Sequence, residues 1–107
     1  MTETTPPLNP AERSRITDAV DELTVQIARR LCADNPHAGE REVRLAVLTA
    51  ARLLSAELDT HLDRAARGAA RAGADYVEIG AAVGMSRQGA RRRWPGLADL
   101  SRDARQP

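Results

Sequence analysis

The sequence predicts an all-α protein, and two observations carry that prediction. The 107 residues include one Trp, one Tyr and no Phe. A core must therefore be built from Leu, Val, Ile and Ala, a composition that favours closely packed helices over sheets. In addition, apolar residues recur at helical spacing through two long segments. A chain of this length suits a small fold with a modest core.

The first predicted helix follows a flexible lead at residues 1–9. Asn9 is expected to cap it, with Pro10 at the first helical position and Glu12 completing a capping box. Apolar positions then advance by three or four residues, close to a heptad pattern that packs against another helix. These positions are Ile16, Val20, Leu23, Ile27 and Leu31. Asn35 and Pro36 indicate a turn after the helix.

A second, longer helix is predicted from Glu40 to Ala72, and if unbroken it spans roughly 50 Å. Gly68 marks a possible bend and Gly73 the stop. One apolar stripe runs along its whole length, and its front half carries a second apolar face. The second face consists of Leu45, Leu48, Ala51 and Leu53. One partner helix cannot cover both faces, which favours a homodimer formed by an intermolecular bundle. The alternative is a monomer whose helices fold back on each other.

Residues 75–95, DYVEIGAAVGMSRQGARRRWP, predict two short helices joined by a tight turn. Asp75 and Glu78 form a potential capping box at the start of the first of these helices. Gly84 supplies the left-handed residue that a tight helix stop prefers. Ser86 is expected to cap the second helix, and Pro95 to end it.

Helical periodicity assigns an inner and an outer face to this segment. The inner face of the first helix is predicted to comprise Tyr76, Ile79, Gly80 and Val83, and that of the second Ala90 and Trp94. The outer arc is predicted to comprise Arg87, Gln88, Arg91 and Arg92. Arg can bind guanine bidentately and Gln can bind adenine, and both can hold phosphates. The outer arc therefore suits the major groove of DNA.

The segment GAAVGMSRQGARRRW resembles the DNA-binding segment of small bacterial helix-turn-helix regulators, over about a fifth of the chain. Two positions depart from the usual pattern: Gly80 replaces a typical Ala, and Arg93 replaces an apolar residue. The resemblance implies a recognition helix at residues 86–94, with Gly89 allowing close approach to the duplex. Ser86 and Arg93 are expected at phosphates. Further phosphate contacts are expected from the supporting helix through Arg64, Arg67 and Arg71.

The predicted organisation is a helical hairpin for dimerisation at 10–58, which leads through the long helix into a tri-helical head at 59–96. A tail follows at 97–107, too short for the β-hairpin of a winged head. In the tail, Leu97 and Leu100 are expected to pack on the head, and Arg102 and Arg105 to touch phosphate or be disordered.

Charge is divided along the chain. Residues 1–63 carry seven Arg against eleven acidic residues, a net charge of −4, whereas residues 64–107 carry nine Arg against four, a net charge of +5. This asymmetry is typical of nucleic-acid binding.

Other classes of function find little support in the sequence. Cys32 is the one cysteine, so an internal disulfide and a cysteine zinc site are excluded, and a reducing cytoplasm is expected. His37 and His61 lie apart from any nucleophile motif, and Glu57 with His61 supplies only two potential metal ligands. We therefore expect no enzyme activity, no cofactor and no metal. Apolar runs are too short to span a bilayer, and no signal peptide is evident.

The leading hypothesis is a homodimeric, sequence-specific transcriptional regulator that binds double-stranded DNA in the cytoplasm, at the nucleoid. A rival is a helical adaptor, or an inhibitor of a transcription factor, whose arginines meet an acidic protein partner. A third is an architectural or mobile-element DNA-binding protein. The arginines also suit a merely solvated helix face.

Overall fold

The computed structural model describes residues 7–106, and that part of the chain is helical without strands. The predicted all-α class is therefore confirmed. The predicted lead at 1–9 lies mostly outside the described residues, as does Pro107. The helices are α1 (Pro10–Leu31), α2 (Glu40–Arg71), α3 (Tyr76–Val83), α4 (Arg87–Arg93) and α5 (Leu97–Arg105). They belong to two compact units, one ending at Ser55 and the other beginning at Ala56.

The predicted start of α1 is confirmed in detail. The Asn9 side chain accepts a hydrogen bond from the backbone N–H of Glu12 at 2.8 Å, and the Glu12 carboxylate accepts one from the Asn9 N–H at 2.9 Å. Pro10 occupies the first turn, where a missing N–H costs nothing. The capping box and Pro10 therefore define where α1 begins.

The first unit contains α1 and the front part of α2, and it buries little. Ala28 and Ala50 are its buried apolar residues within the described range. The heptad-like positions of α1 remain largely exposed, for instance Ile16 at 53%, and Leu48 on α2 is 66% exposed. The apolar positions predicted along α1 are therefore left mostly uncovered by residues 7–106.

Helix α2 runs without interruption through Gly68, where the sequence predicts a possible bend. It ends at Arg71, and Gly73 then adopts a φ of 100°, which confirms the predicted stop. Its rear part belongs to the second unit, whose core also includes residues from α3, α4, the turn after α4, and α5. That core comprises Ala66, Ala70, Tyr76, Ile79, Ala90, Trp94 and Leu97.

The predicted C-terminal tail is instead a helix, α5, built into the second unit. Leu97 is only 2% exposed, and Leu100 packs against the same core. The Ser101 hydroxyl donates to the carbonyl of Ala74 at 2.5 Å, and Arg105 Nε donates to the carbonyl of Gly73 at 2.7 Å. These bonds attach α5 to the segment between α2 and α3, so the second unit contains a helix that the sequence does not predict.

Candidate nucleic-acid interface

Local capping defines the start and end of α3 and the start of α4. The Asp75 carboxylate accepts from the Glu78 N–H at 2.9 Å, and the Glu78 carboxylate accepts from the Asp75 N–H at 3.1 Å. Gly84 ends α3 in the left-handed region with a φ of 73°. The Ser86 hydroxyl caps α4 by accepting from the Gly89 N–H at 3.0 Å. All three predicted caps of this segment are confirmed.

Gly80 allows the turn to lie directly against α3. A Cβ atom at this position would be 2.7 Å from the carbonyl oxygen of Met85, closer than real Cβ contacts. The Met85 N–H also donates to the Gly80 carbonyl at 2.8 Å. Gly80 is therefore needed where the chain reverses, which explains a residue that costs helix propensity.

Helix α4 is anchored through one face and its C-terminal end. Ala90 and Trp94 are buried, as predicted for the inner face. The Trp94 indole N–H donates to Asp63 at 2.7 Å, and the Tyr76 hydroxyl donates to the Trp94 carbonyl at 2.6 Å. That hydroxyl also accepts from the Leu97 N–H at 3.0 Å, so one buried side chain secures the turn after α4.

The predicted inner face of α3 is confirmed at Tyr76, Ile79 and Gly80, which are buried. Val83 is the exception, because it is 37% exposed. The helix ends immediately after this residue, where the chain leaves the core for the turn.

The predicted outer arc of α4 is exposed to solvent. Arg87, Gln88, Arg91 and Arg92 are all exposed. Across residues 7–106, no ion pair or hydrogen bond engages the guanidinium groups of the three arginines in this set. The Arg91 guanidinium lies over the Tyr76 ring, 5.5 Å from its centroid. Within the described residues, three cations without carboxylate partners on so short a helix give a concentrated positive surface.

Successive residues of an α-helix are rotated by about 100°, which divides this surface into parts. With Ala90 and Trp94 turned inward, Gln88 and Arg92 project most directly outward. Arg87 and Arg91 lie on one flank, where they line a cavity with α5. Gln88 and Arg92 are thus the side chains of α4 that project farthest from the core.

Arg93 lies on the opposite flank and differs from the other arginines of α4. One of its terminal nitrogens is 3.1 Å from an Asp63 carboxylate oxygen, and its guanidinium is 5.7 Å from the Trp94 ring centroid. Asp63 therefore binds both the last residue of α4 and the following indole. The sequence alone did not identify Asp63, because it lies 31 residues before Trp94.

The remaining predicted contact residues are brought together only in part. Gly89 is half-buried, and a Cβ there would lie 3.2 Å from the Ser86 hydroxyl oxygen, so the cap itself favours glycine.

On α2, three further arginines are exposed and share a face different from the one that buries Ala66 and Ala70. They are Arg64, Arg67 and Arg71. None is linked to α4 by a hydrogen bond or ion pair in the range 7–106.

Arg105 was expected at phosphate or disordered, and instead forms internal contacts. Its guanidinium lies 3.1 Å from Glu78 and 3.7 Å from Asp75. The pKa of the Asp75 carboxyl is lowered from its ordinary value, first by the hydrogen bond from the Glu78 N–H and also by the charge of Arg105, against an opposing effect of burial. The start of α3 is therefore a small electrostatic network that includes α5.

The charge asymmetry is less pronounced when it is counted for the two units. Because Glu57, Asp59 and Asp63 belong to the second unit, its nine Arg face seven acidic residues, for a net charge of +2. Positive charge is concentrated locally on α4, which carries four Arg and no acidic residue. The local density, more than the net charge, characterises this surface.

Other kinds of site are not indicated by the part of the chain that the structure describes. No three His, Cys, Asp or Glu side chains there are grouped as metal ligands would be. None of the five helices is both long and apolar enough to cross a membrane. Comparison of the chain with protein-family models, curated proteins and solved structures found no significant match. The geometry of α3 and α4 is thus the basis for a functional interpretation.

Proposed function

We propose that the chain is a sequence-specific DNA-binding regulator that places α4 in the major groove. The observation that carries the proposal is the exposed surface of α4. Three arginines that form no ion pair within residues 7–106 and one glutamine project from a seven-residue helix whose opposite face is anchored by Ala90 and Trp94. An α-helix fits the major groove of B-DNA, and these side chain types can bind base edges there.

The flanks suggest a division of roles among the contact residues. Gln88 and Arg92 would contact base edges, since they project farthest from the core. Arg87 and Arg91, on one flank of α4, would contact either the bases or the adjacent DNA backbone. Ser86 and Arg93 would lie near phosphates at the two ends of the helix, where Arg93 must exchange Asp63 for a phosphate.

A homodimer is the assembly that we propose for this function. The support is the apolar surface of the first unit, where large side chains such as Ile16, Leu45 and Leu48 are more than half exposed. A second copy would bury the same patch by two-fold symmetry. Two recognition helices would then contact half-sites about 34–36 Å apart, or a multiple of that spacing, on a partly palindromic site.

A titration of fluorescent random-sequence duplex, followed by anisotropy at 50 and 200 mM NaCl, tests the DNA-binding part of the proposal. If about four phosphates are neutralised, log K should fall against log salt with a slope of roughly −3.6. Arg92→Ala should weaken binding and flatten this slope. Arg41→Ala, which removes the same charge from an exposed position in the first unit, is the matched control and should change little.

A helical interaction protein is the second candidate, and the exposed apolar side chains of the first unit favour it. In that function a partner protein would cover the apolar surface, and the arginines of α4 would meet acidic side chains. Absence of duplex binding even at 50 mM NaCl, with the chain folded, would favour this candidate over DNA binding. The salt titration therefore separates the two functions.

A further inference from the structure

A cavity of about 320 Å³ lies beside α4 within the second unit. It is bordered by the start of α3, one flank of α4 and one side of α5. Four arginines contribute to its wall, together with the Asp75 carboxyl and the Ser101 side chain. These arginines are Arg87, Arg91, Arg102 and Arg105. A volume of this size is at the lower end of the range for small-molecule sites.

The four arginines differ in how their charge is compensated. Arg102 is paired with Asp99, and Arg105 with Asp75 and Glu78. Arg87 and Arg91 form no ion pair within residues 7–106. They are four residues apart on α4 and so lie on the same side of the helix. The cavity therefore has one wall with two uncompensated positive charges.

Beside these two arginines and the paired charges, part of the wall is apolar and includes an aromatic ring. Val77 and Ala98 line the cavity, as does Tyr76, whose ring lies under the Arg91 guanidinium. A small inorganic anion would satisfy the arginines but leave this wall in contact with water. An organic acid would cover both parts, since guanidinium groups bind carboxylates bidentately and an apolar body gains free energy when buried.

We propose that this cavity binds a small planar organic carboxylate. Its carboxylate would be held by Arg87 and Arg91, and its ring or chain would lie on Val77 and Ala98. The regulatory consequence depends on the proposed DNA-binding function. Arginines engaged by the ligand are unavailable to the duplex, so the ligand would weaken DNA binding by direct competition.

Benzoate is the probe for the site, and amide chemical shifts of the full-length chain without DNA are the readout. We expect saturable shifts with a Kd on the order of 1 mM, given the few atoms of the probe. The neutral analogue benzamide and inorganic phosphate should each bind at least tenfold more weakly. The double variant Arg87→Gln and Arg91→Gln should lose tenfold or more in benzoate affinity, while Arg41→Gln, a control in the first unit, should retain it.

Three results would overturn the proposed site: shifts that do not saturate with benzoate, benzamide or phosphate binding as tightly as benzoate, or a folded double variant with unchanged benzoate affinity. A duplex titration with and without benzoate then tests the consequence. Benzoate should raise the apparent Kd for duplex of the unmodified chain. Benzoate binding without any duplex binding would refute the DNA-binding function and leave the proposed site intact. Duplex binding without benzoate binding would refute the proposed site alone.

Discussion

At the scale of single residues, Tyr76 helps to hold the end of α4 through two hydrogen bonds. Its buried hydroxyl bonds both the Trp94 carbonyl and the Leu97 N–H. Tyr76→Phe leaves both groups without this partner, and we expect the free energy of unfolding to fall by about 2 to 4 kcal/mol. Urea denaturation at one fixed chain concentration measures the change. A loss below about 0.5 kcal/mol is what an ordinary surface substitution causes, and would show that other groups or water replace the hydroxyl.

Asp63 limits the charge that α4 presents, because it pairs with Arg93. Asp63→Asn keeps an oxygen acceptor for the Trp94 indole but removes the opposing charge. We expect tighter duplex binding for specific and random sequences alike, and a salt slope steeper by up to about one phosphate contact. Anisotropy titrations over a salt series provide the measurement. An unchanged slope would mean that Arg93 does not reach phosphate.

At the scale of elements, an added Cβ atom should have opposite effects at two glycines in helices. At Gly80 a Cβ would lie 2.7 Å from the Met85 carbonyl oxygen, whereas at Gly68 it would meet nothing within 4 Å. Gly80→Ala should therefore destabilise the chain by about 1–3 kcal/mol through the clash with backbone. The control Gly68→Ala should stabilise it by up to about 1 kcal/mol, because only helix propensity changes. Equal effects of the two substitutions on thermal unfolding would refute the close contact between Gly80 and the turn after α3.

The start of α3 should give the chain an acid-dependent component of stability. The pKa of Asp75 is lowered in the folded chain, so its carboxylate contributes stability above the unfolded pKa and loses it as pH falls through the folded value. Asp75→Asn retains a cap acceptor without the charge. We expect the melting temperatures of the two chains to differ most near neutral pH and to converge below about pH 4. A constant difference across that range would contradict the assignment.

Local rules were sufficient to predict most of the helices. The caps at Asn9, Asp75 and Ser86 and the left-handed Gly84 depend on residues within a few positions of each other. Helix α5 was missed because it begins at Gly96 without a side-chain cap. Its signal was the spacing of Leu97, Leu100 and Ser101 on one face, which is weak in nine residues.

At the scale of the whole molecule, the pairs that fix α4 and α5 could not be derived from the sequence. Asp63 bonds Trp94 across 31 positions, and Arg105 bonds the Gly73 carbonyl across 32. Periodicity identifies which face of a helix is apolar. It does not show which of the many charged residues bonds to the Trp94 indole or to the Gly73 carbonyl. The outer arc of α4 could be predicted because it depends on spacing within one short helix. Its exposure follows from the burial of Ala90 and Trp94 on the other side of that helix.

The uncovered apolar surface of the first unit has a consequence for assembly. Leu48 is the most exposed of its large apolar residues. If a second copy covers this surface, Leu48→Glu should shift the chain from dimer to monomer in sedimentation equilibrium, because a charge would be buried at the interface. Val77→Glu, a similar change at an exposed position of α3, is the control and should leave the mass unchanged. A monomeric unmodified chain would contradict the proposed homodimer.

If α4 recognises base sequence in the major groove, selection of bound duplexes from a random pool should reveal it. We expect enrichment of one partly palindromic motif with half-sites separated by a whole number of helical turns. Gln88→Ala should relax the preference at one position of each half-site, at a cost of about 1–3 kcal/mol for the preferred base. A pool that remains random after repeated selection, or an identical motif for the variant, would contradict base recognition by α4.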